Sequence, residues 1–414
     1  MAHFLMLESW VGASGNLLPP LLKSLGHTYT FVTRKPAHYQ NPLRSEKHMV
    51  FRQADEVVVT ETNDVDNLIE VLRPYHFDGV ITVCDYYIEI AQQVANAFHI
   101  PCPFPSHVKT VREKHLMRMA VENAGLSNPQ YRIAHGWQEA EQAANEIGYP
   151  VVIKPVDLAS SAFVRLAKND DDLRTAFADL EAFPLNFRDQ EREHACLIEE
   201  FMTGDEVSIE SVSYKGETTI LGVTDKSVTG TPYFIEDGHM FPAKLDSAKE
   251  AELKQYVKDV LKTVDYDNGI SHTEVKLTPD GPQVVEVNPR TAGNYIVELI
   301  DRVTGVNLLH AFVDLALGHR PQMEVNDTGV KSAAIKFLVP QRGGTVLNIQ
   351  GEETLKNDPH VVRYCIEDCA GKSIESPIDN ACYLGYIVSE DTTGQNARAY
   401  AEEALSRLKV TFES

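Results

Sequence analysis

The sequence predicts an α/β protein with α+β parts, assembled from several packed units. Its 414 residues, 43% hydrophobic and 24% charged, have ordinary globular proportions and exceed what one small core requires. The first hundred residues alternate short apolar runs with helical patterns, which is typical of a parallel sheet. Later strands alternate polar and apolar residues, which favours antiparallel sheets. The fold class is therefore expected to change along the chain.

Residues 1–105 are predicted to form an N-terminal parallel α/β domain. The run FLMLES leads into a loop with Gly12 and Gly15, and the run DGVITVCD leads into the helical pattern YYIEIAQQVANAFHI. The glycines are spaced G-x-x-G and not G-x-G-x-x-G, so a dinucleotide-binding fingerprint is absent. We expect a tight turn from strand to helix there, and the spacing argues against a dehydrogenase.

Residues 106–205 are predicted to form a small antiparallel lid that ends in a linker strand. One helix is expected from Lys109 to Asn123, ending at Gly125, and a second is expected to end at Gly148. The strands VVIKP and SAFVRLA then flank the loop VDLASS. The run ACLIEEFM supplies the linker strand, which is expected to stop at Thr203. The arrangement predicts a small flap.

Residues 206–320 are predicted to hold a central antiparallel sheet, and residues 321–414 a C-terminal α+β unit. The central part contains the alternating strand EVSIESVSY, a helix over 248–263 and the hairpin ISHTEVKLTPDGPQVVEVNPR. The C-terminal part contains the strands AAIKFLVP and NACYLGYIVSE and the helical pattern NARAYAEEALSRL. These patterns complete a division into four units.

Charge and terminal composition exclude several classes of protein. The net charge of -22, from 60 acidic and 38 basic residues, would repel a phosphate backbone, so no nucleic acid partner is expected. The N-terminal run MAHFLMLE lacks the basic region of a signal peptide. No stretch approaches the roughly 20 apolar residues of a membrane span. We expect a cytoplasmic protein without a membrane partner.

The strongest chemical signal is the hairpin TEVKLTPDGPQVVEVN. If its turn is symmetric about Asp280, Glu274 pairs with Glu286 and His272 pairs with Asn288. Directly paired residues place their Cβ atoms about 5 Å apart, where like charges destabilise a sheet. Two carboxylates this close in a sheet interior require a compensating cation.

Side-chain alternation assigns each hairpin residue to a face of the sheet. It places Val284 on the polar face with Glu286, and Val285 on the opposite, apolar face. Carboxylates together with the Asn288 carbonyl are hard oxygen ligands that suit Mg²⁺. The alternative is that the glutamates lie on a solvent-exposed face with Lys276 as their partner.

Taken in order, the motifs resemble the ATP-grasp superfamily, in particular its carboxylate–amine ligases and most closely the L-amino-acid ligases that make dipeptides. The resemblance covers essentially the whole chain and rests on REKHLMRMAVENAGL, VVIKP, DLASSAFV, LIEEFMTGDE, HTEVKL and VVEVNPR. It implies an ATP-grasp fold in which a pre-ATP-grasp domain precedes the lid and the central sheet.

The resemblance implies an ATP site. Lys114 and Lys154 match the two lysines that contact ATP phosphates, and Glu206 matches the residue that holds the ribose hydroxyls. The alternative for each lysine is that it is simply exposed at the surface, and the alternative for Glu206 is that it is an exposed residue of a strand. The flap serines and the strand that meets the adenine supply the other implied contacts, namely Ser160, Ser161, Glu199, Glu200 and Phe201.

The resemblance also implies Mg²⁺, with two ions expected and Mn²⁺ possible in their place. Glu274, Glu286 and Asn288 match the metal ligands, and Arg290 matches the arginine that holds the acyl phosphate and the tetrahedral intermediate. In the implied reaction a substrate carboxylate attacks the γ-phosphate of ATP, and an amine then displaces phosphate. No nucleophilic side chain is required.

Substrate contacts are implied around the end of the metal strand. Gly293 and Asn294 lie there, and the stretch TDKSVTGTPYFIEDGHMFP adds Lys226 and His239. Lys226 is a candidate for binding a substrate carboxylate. The small Gly293 leaves room for a larger amine.

Two acidic residues suggest a basic first substrate. Asp85 follows the strand DGVITVCD and Glu89 lies one helical turn later, so the pair could receive a cationic side chain such as that of arginine. The alternative is that Asp85 caps the helix that follows it.

The sequence favours an ATP-dependent ligase that joins two L-amino acids and releases ADP and phosphate. Its expected partners are small amino acid substrates, with a homodimer as a family expectation. Two alternatives stay open: an ATP-grasp carboxylase of the biotin-carboxylase or purine-pathway type that activates bicarbonate, and a non-catalytic nucleotide-binding module. The module would be expected to lose Arg290 or a metal carboxylate, and both are present.

Overall fold

The computed structural model describes residues 1–40, 46–229 and 232–413, and its named strands form four sheets. The first sheet is parallel, in the order β3-β2-β1-β4. Its strands are β1 (His3–Leu7), β2 (Thr28–Thr33), β3 (Glu56–Val59) and β4 (Gly79–Ile81). The helices of this unit are α1 (Ser14–Ser24), α2 (Met49–Arg52), α3 (Val65–Leu72) and α4 (Ile88–Phe98). The predicted parallel α/β pattern is confirmed.

The lid contains an antiparallel sheet in the order β5-β8-β6-β7. Its strands are β5 (Tyr131–Ala134), β6 (Val151–Pro155), β7 (Arg165–Ala167) and β8 (Cys196–Glu200). The helices are α5 (Val108–Arg112), α6 (Lys114–Asn123), α7 (Trp137–Ile147) and α8 (Asp170–Glu181). Strand β8 ends at Glu200, two residues before the predicted end at Met202.

The helix expected from Lys109 to Asn123 is interrupted. Glu113 has an extended backbone, with φ -77° and ψ 111°, and it separates α5 from α6. The Lys114 amide donates to the Val156 carbonyl at 3.3 Å, so the second helix begins against the lid strand. The interruption places Lys114 in the first turn of a helix that faces the sheet. Gly125, at φ 68°, follows this helix in the left-handed conformation expected of a C-terminal glycine.

The largest sheet is antiparallel and has the order β13-β12-β9-β10-β11-β14-β18-β16. Its central strands are β9 (Asp205–Tyr214), β10 (Glu217–Thr229), β11 (Ile235–Phe241), β12 (Gly269–Thr278) and β13 (Gly281–Asn288). Helix α9 (Ser247–Thr263) lies between β11 and β12 in the chain, and α10 (Ile296–Thr304) and α11 (Leu308–Ala316) follow β13. The expectation of a helix over 248–263 is confirmed.

Three strands of the C-terminal residues extend this sheet. They contain β14 (Ser332–Phe337), β15 (Gly344–Gln350), β16 (Val361–Ile366), β17 (Ser373–Ile374), β18 (Gly385–Asp391), α12 (Ala397–Ser406) and β19 (Lys409–Phe412). Strands β14, β16 and β18 join the large sheet, whereas β17, β15 and β19 form a small sheet of their own. Central and C-terminal residues therefore share one framework.

Apolar packing joins the N-terminal unit to the central sheet. One buried cluster includes Phe4 of β1, Val80 of β4 and Phe312 of α11. Because α10 and α11 follow β13 directly, this packing fixes where the end of the carboxylate hairpin lies relative to the first sheet. None of the described helices is long and apolar enough to cross a membrane.

Candidate active site

The hairpin of β12 and β13 brings the predicted carboxylates together. Glu274 pairs with Glu286, and His272 pairs with Asn288, which confirms both predicted pairings. The turn is not symmetric about Asp280, however, because Thr278 already pairs with Gly281. The predicted pairs are therefore correct, although the predicted symmetric turn is wrong.

A β-bulge at Val285 restores the pairing. Val275 pairs with Val284 while the preceding pair is Glu274 with Glu286, so Val285 is the extra residue on its strand. Val284 is fully buried in the apolar cluster that includes Val275, whereas Val285 lines the cleft. The faces predicted for Val284 and Val285 are therefore wrong, and the bulge is the reason.

A cleft of about 830 Å³ lies between the lid and the polar face of the large sheet. Flap residues and the linker strand form one wall, and the paired carboxylates lie on the other. The residues proposed from the sequence that line it are Lys114, Lys154, Ser161, Glu199, Glu200, Phe201, Glu206, Glu274 and Glu286. Ser160 is exposed and does not line it. Most of the implied ATP and metal residues thus converge on one space.

The flap over this cleft is built from unusual backbone conformations. Ser160, Ser161 and Phe163 have φ values of 61°, 57° and 59°, in the left-handed region that favours glycine. The flap also touches the N-terminal unit, because the Ala159 amide donates to the Tyr86 hydroxyl at 3.3 Å. Non-glycine residues in this backbone region are strained, and such strain is common in segments that clamp ligands.

Lys114 contacts one of the paired carboxylates. Its Nζ lies 3.0 Å from Glu286 Oε2 and donates to the Leu158 carbonyl at 2.9 Å. Asn288 Nδ2 donates to Glu286 Oε1 at 3.0 Å. Burial alone would raise the pKa of Glu286, but the Lys114 ammonium and the Asn288 hydrogen bond lower it to about 2. Glu286 is therefore ionised in the folded protein, with a half-buried side chain.

Lys154 belongs to a buried triad with Glu199 and Arg118. Lys154 Nζ lies 2.6 Å from Glu199 Oε2, and Arg118 Nε lies 2.7 Å from Glu199 Oε1. Burial lowers the pKa of Lys154 despite the attraction of Glu199. Burial opposes ionisation of Glu199 as well, yet the two cations lower its pKa to about 2. The Glu199 side chain thus supports the site from inside the protein.

Sequence reasoning missed Arg118, although it lies four residues after Lys114 on the same helix. Its guanidinium is fully buried and also donates to the Val284 and Val285 carbonyls, the latter at 3.2 Å. The helical spacing is a signal that could have found it, because residues four apart share a helix face. Arg118 links helix α6 to the bulge of the hairpin.

Lys226 is enclosed by three carboxylates. Its Nζ lies 2.9 Å from Glu206, 3.0 Å from Glu236 and 3.0 Å from Glu274, and its side chain has 0% exposure. The carboxylates draw its pKa well above the usual value despite burial. Binding a substrate carboxylate here would require Lys226 to release one of these partners.

Glu236 is a second site residue that was not predicted from the sequence, and it contacts several of the substrate candidates. His239 Nε2 lies 3.3 Å from its carboxylate, and Asn294 Nδ2 donates to it at 2.6 Å. The Tyr383 hydroxyl donates to its carbonyl at 2.7 Å. A Cβ placed at Gly293 would meet no atom within 4 Å, so there is open space beside this network.

Part of the substrate stretch is undescribed. Gly230 and Thr231, which stand between Lys226 and His239 in the sequence, lie outside the described residues.

The two acids proposed to receive a basic substrate already have arginine partners. Asp85 accepts from Arg290 Nε at 2.7 Å through one oxygen and from Trp10 Nε1 at 2.7 Å through the other. Glu89 lies 3.1 Å from Arg112. Helix α4 has no side-chain cap at its start, so the capping alternative for Asp85 is wrong. Asp85 instead holds Arg290 beside the end of β13.

The paired carboxylates fit a divalent metal. Glu274 and Glu286 supply two carboxylates, and Asn288 directs its nitrogen at Glu286, which leaves its amide oxygen as an acceptor. Lys114 and Lys226 provide the compensating positive charge in this structure. The donor set is the hard-oxygen type that Mg²⁺ or Mn²⁺ prefers.

Comparison with known proteins agrees with this geometry. Residues 147–298 match the family model of the ATP-grasp domain, and residues 336–413 match that of the L-amino acid ligase C-terminal domain 2. The chain is 30% identical over 226 residues to carnosine synthase 1 of Gallus gallus, a match that covers 50% of this chain and 24% of that one. It is 24% identical over 273 residues to the alanine–anticapsin ligase of Bacillus amyloliquefaciens, covering 62% and 57%.

A solved structure matches over the whole chain. The L-amino acid ligase from Bacillus licheniformis superposes with a TM-score of 0.82 at 20% identity, over 100% of this chain and 99% of that one. Residues 147–298 therefore form an ATP-grasp domain, a domain of enzymes that use ATP with a divalent metal, and the whole chain has the fold of an L-amino acid ligase. Residues 336–413 carry the C-terminal domain 2 of the L-amino acid ligases, so the chain resembles these carboxylate–amine ligases.

Proposed function

We propose that this enzyme joins two L-amino acids in an ATP-dependent reaction that proceeds through an acyl phosphate. The observation that carries the proposal is the cleft itself, where Lys114, Lys154, the paired carboxylates and the linker strand line one space. Arg290 lies at the end of the carboxylate strand, held by Asp85. This chain covers 24% of carnosine synthase 1 and 57% of the alanine–anticapsin ligase, so its reaction and substrates are proposed from the site.

In the first step, an oxygen of the substrate carboxylate attacks the γ-phosphorus of ATP while the bond to the ADP oxygen breaks. Lys114 and Lys154 bind the phosphates, for which Lys114 exchanges its contact with Glu286 for a phosphate oxygen. The backbone of Glu199, Glu200 and Phe201 meets the adenine, and Glu206 holds the ribose. Glu274, Glu286 and Asn288 would hold Mg²⁺, with two ions expected, or Mn²⁺ in its place, and the metal would supply positive charge that neutralises the phosphates.

In the second step, an amine attacks the acyl carbon, phosphate leaves, and the amine loses a proton to form the amide. Arg290 retains unused N–H groups that are suited to the negative oxygens of the acyl phosphate and of the tetrahedral intermediate. The lid excludes water, which protects the acyl phosphate from hydrolysis. Positioning and charge thus carry the reaction, and no covalent bond to a side chain forms.

The amino acid substrates are proposed to bind beside Glu236, Gly293 and Asn294, where the open space lies. The name of the Bacillus amyloliquefaciens relative includes alanine, so alanine is one candidate substrate. Arginine remains a candidate only if Asp85 or Glu89 exchanges its arginine partner for the substrate.

The test is incubation with Mg-ATP and single amino acids, then pairs, with phosphate release and product mass as readouts. A product equal in mass to two amino acids minus water is expected. Glu286→Gln should abolish phosphate release, whereas Glu403→Gln, on an exposed face of α12, should not. Phosphate release triggered by bicarbonate and by no amino acid would instead indicate a carboxylase.

A further inference from the structure

One loop of the lid leaves its own unit and packs against the N-terminal unit. Residues 184–193, which we call the docking loop, connect α8 to β8. Its turn is closed by its own hydrogen bonds, from the Asn186 amide to the Gln190 carbonyl at 2.8 Å and from the Arg188 amide to Asn186 Oδ1 at 2.8 Å. The loop is therefore a preformed turn that presents Arg188.

Arg188 is buried in the N-terminal unit, with 5% exposure. Its Nη2 donates to the Ser9 carbonyl at 2.8 Å, and its guanidinium carbon lies 5.1 Å from the centre of the Trp10 ring. The Arg188 carbonyl accepts from Arg34 and from Asn63, each at 3.0 Å. A buried cation over an indole ring gains from cation–π attraction that water would otherwise weaken.

Further contacts anchor the loop on both sides of Arg188. Asp189 pairs with Arg34 and lies 2.6 Å from Lys35. Gln190 Nε2 donates to the Tyr86 carbonyl at 3.1 Å, and Tyr86 is also the residue whose hydroxyl meets the flap. The docking loop and the phosphate flap thus contact the same part of the N-terminal unit.

A chain of contacts runs from Arg188 to the proposed catalytic arginine. The Trp10 ring lies under Arg188, and Trp10 Nε1 donates to Asp85 at 2.7 Å. The other Asp85 oxygen accepts from Arg290 at 2.7 Å. The contacts from Arg188 to Trp10, from Trp10 to Asp85 and from Asp85 to Arg290 therefore connect the lid, through the N-terminal unit, to the end of the carboxylate strand.

We propose that Arg188 is a positioning residue for Arg290. Docking of residues 184–193 fixes the Trp10 ring, which orients Asp85, and Asp85 in turn holds the Arg290 guanidinium. The ligase reaction is then efficient only when the lid is docked on the N-terminal unit, so closure and assembly of the site are one event. The catalytic role of Arg290 rests on the proposed function, whereas the docking contacts do not.

Tryptophan fluorescence tests the docking step. The chain has two tryptophans, Trp10 and Trp137, so Trp137→Phe leaves Trp10 as the only reporter. In that background Arg188→Ala is expected to increase acrylamide quenching of Trp10. Arg174→Ala is the matched control, because Arg174 lies over Trp137 within the lid. Asp189→Asn, a change at the surface, should act in the same direction by a smaller amount and covers the case in which Arg188→Ala does not fold.

Hydrogen exchange tests the link to Arg290 without depending on turnover. Arg188→Ala is expected to accelerate amide exchange over residues 289–293, and Arg174→Ala is not. With active enzyme, kcat should fall about tenfold or more while KM for ATP stays constant, because misplacing a catalytic group slows chemistry without weakening nucleotide contacts. Arg188→Lys should recover part of kcat.

Two results would overturn the inference. Unchanged Trp10 quenching in both Arg188→Ala and Asp189→Asn would refute docking in solution. Increased quenching with unchanged exchange over 289–293 would refute the positioning of Arg290. Absence of amino acid ligation by the parent protein would instead count against the proposed function, and quenching and exchange would still decide the docking and the positioning.

Discussion

Two arginines lie beside strand β13 and differ in their bonding, namely the fully buried Arg118 and the partly buried Arg290. Arg118 has five N–H donors, and it makes five hydrogen bonds: two to Glu199, one to Asn128 and one to each carbonyl of the bulge. Arg290 uses Nε for Asp85 and Nη1 for the Thr291 carbonyl. Within residues 1–40, 46–229 and 232–413, no hydrogen bond from Arg290 Nη2 is found.

The comparison separates support from chemistry. An arginine whose donors are all satisfied by the protein has nothing to offer a substrate, and its removal leaves several buried acceptors without donors. An arginine with unused donors can bind an anion without breaking other contacts. We therefore expect changes at Arg118 to lower stability, and changes at Arg290 to lower turnover.

The largest effect is expected for Arg118→Met. This change leaves the Glu199 carboxylate and the bulge carbonyls buried without their donors, and breaking a buried pair typically costs about 3–5 kcal/mol. The thermal unfolding midpoint should fall sharply. Arg132→Met, which removes an exposed arginine paired with Glu146, is the matched control and should shift the midpoint little. Equal shifts of the unfolding midpoint in the two variants would refute the supporting role of Arg118.

The next effect is expected for Arg290→Lys. Lysine keeps the charge beside Asp85 but lacks the planar set of donors, and losing such a donor from an anion site lowers kcat about 10²–10³-fold. The unfolding midpoint should stay near that of the parent. Arg302→Lys, at an arginine paired with Glu298 and Glu390, should leave phosphate release intact. A kcat within a few-fold of the parent value would refute a catalytic role for Arg290.

The supporting role of the buried triad predicts that the stability contributed by Glu199 depends on pH. Its pKa of about 2 in the folded protein lies below the unfolded value of 4.5, so its stabilisation is complete above pH 4.5 and is lost as the pH falls towards 2. The shift corresponds to on the order of 3 kcal/mol.

Glu199→Gln should therefore lower the unfolding midpoint strongly at pH 7, and the gap from the parent should narrow as the pH falls below 4.5. Unfolding midpoints measured at several pH values, with Glu403→Gln as control, check this expectation. A gap that is constant with pH would mean that Glu199 is not ionised in the triad.

The sequence was sufficient to predict the parts of the site that follow local rules. A turn-forming run indicated the hairpin, and the order of motifs indicated the lysines and the flap. The predicted pairing of Glu274 with Glu286 is correct only because a bulge offsets the asymmetry of the turn. The bulge at Val285 left no local signal, because Val284 and Val285 are identical residues that both favour strands. The faces of Val284 and Val285 were therefore assigned wrongly.

Contacts between distant segments could not be predicted from local pattern. Arg118 lies 166 residues from Val284, and Arg188 lies 179 residues from Ser9. Each arginine looked like one more exposed cation, since burial depends on which segments the fold brings together. Asp85 illustrates the consequence, because its partner Arg290 is 205 residues away and turns a supposed substrate contact into a support.

The smallest effect is expected for Trp10→Phe, which tests whether Asp85 needs both of its partners. Phenylalanine keeps a ring under Arg188 but removes the Nε1–H donor, so Asp85 would hold Arg290 with one fewer hydrogen bond, at a cost of about 1 kcal/mol. A decrease in kcat of several-fold is expected, with Trp137→Phe unchanged as control. Combined with Arg290→Lys, the two losses should be less than additive, because both act through Asp85. Full additivity would show that Trp10 and Arg290 act independently and that Asp85 does not connect them.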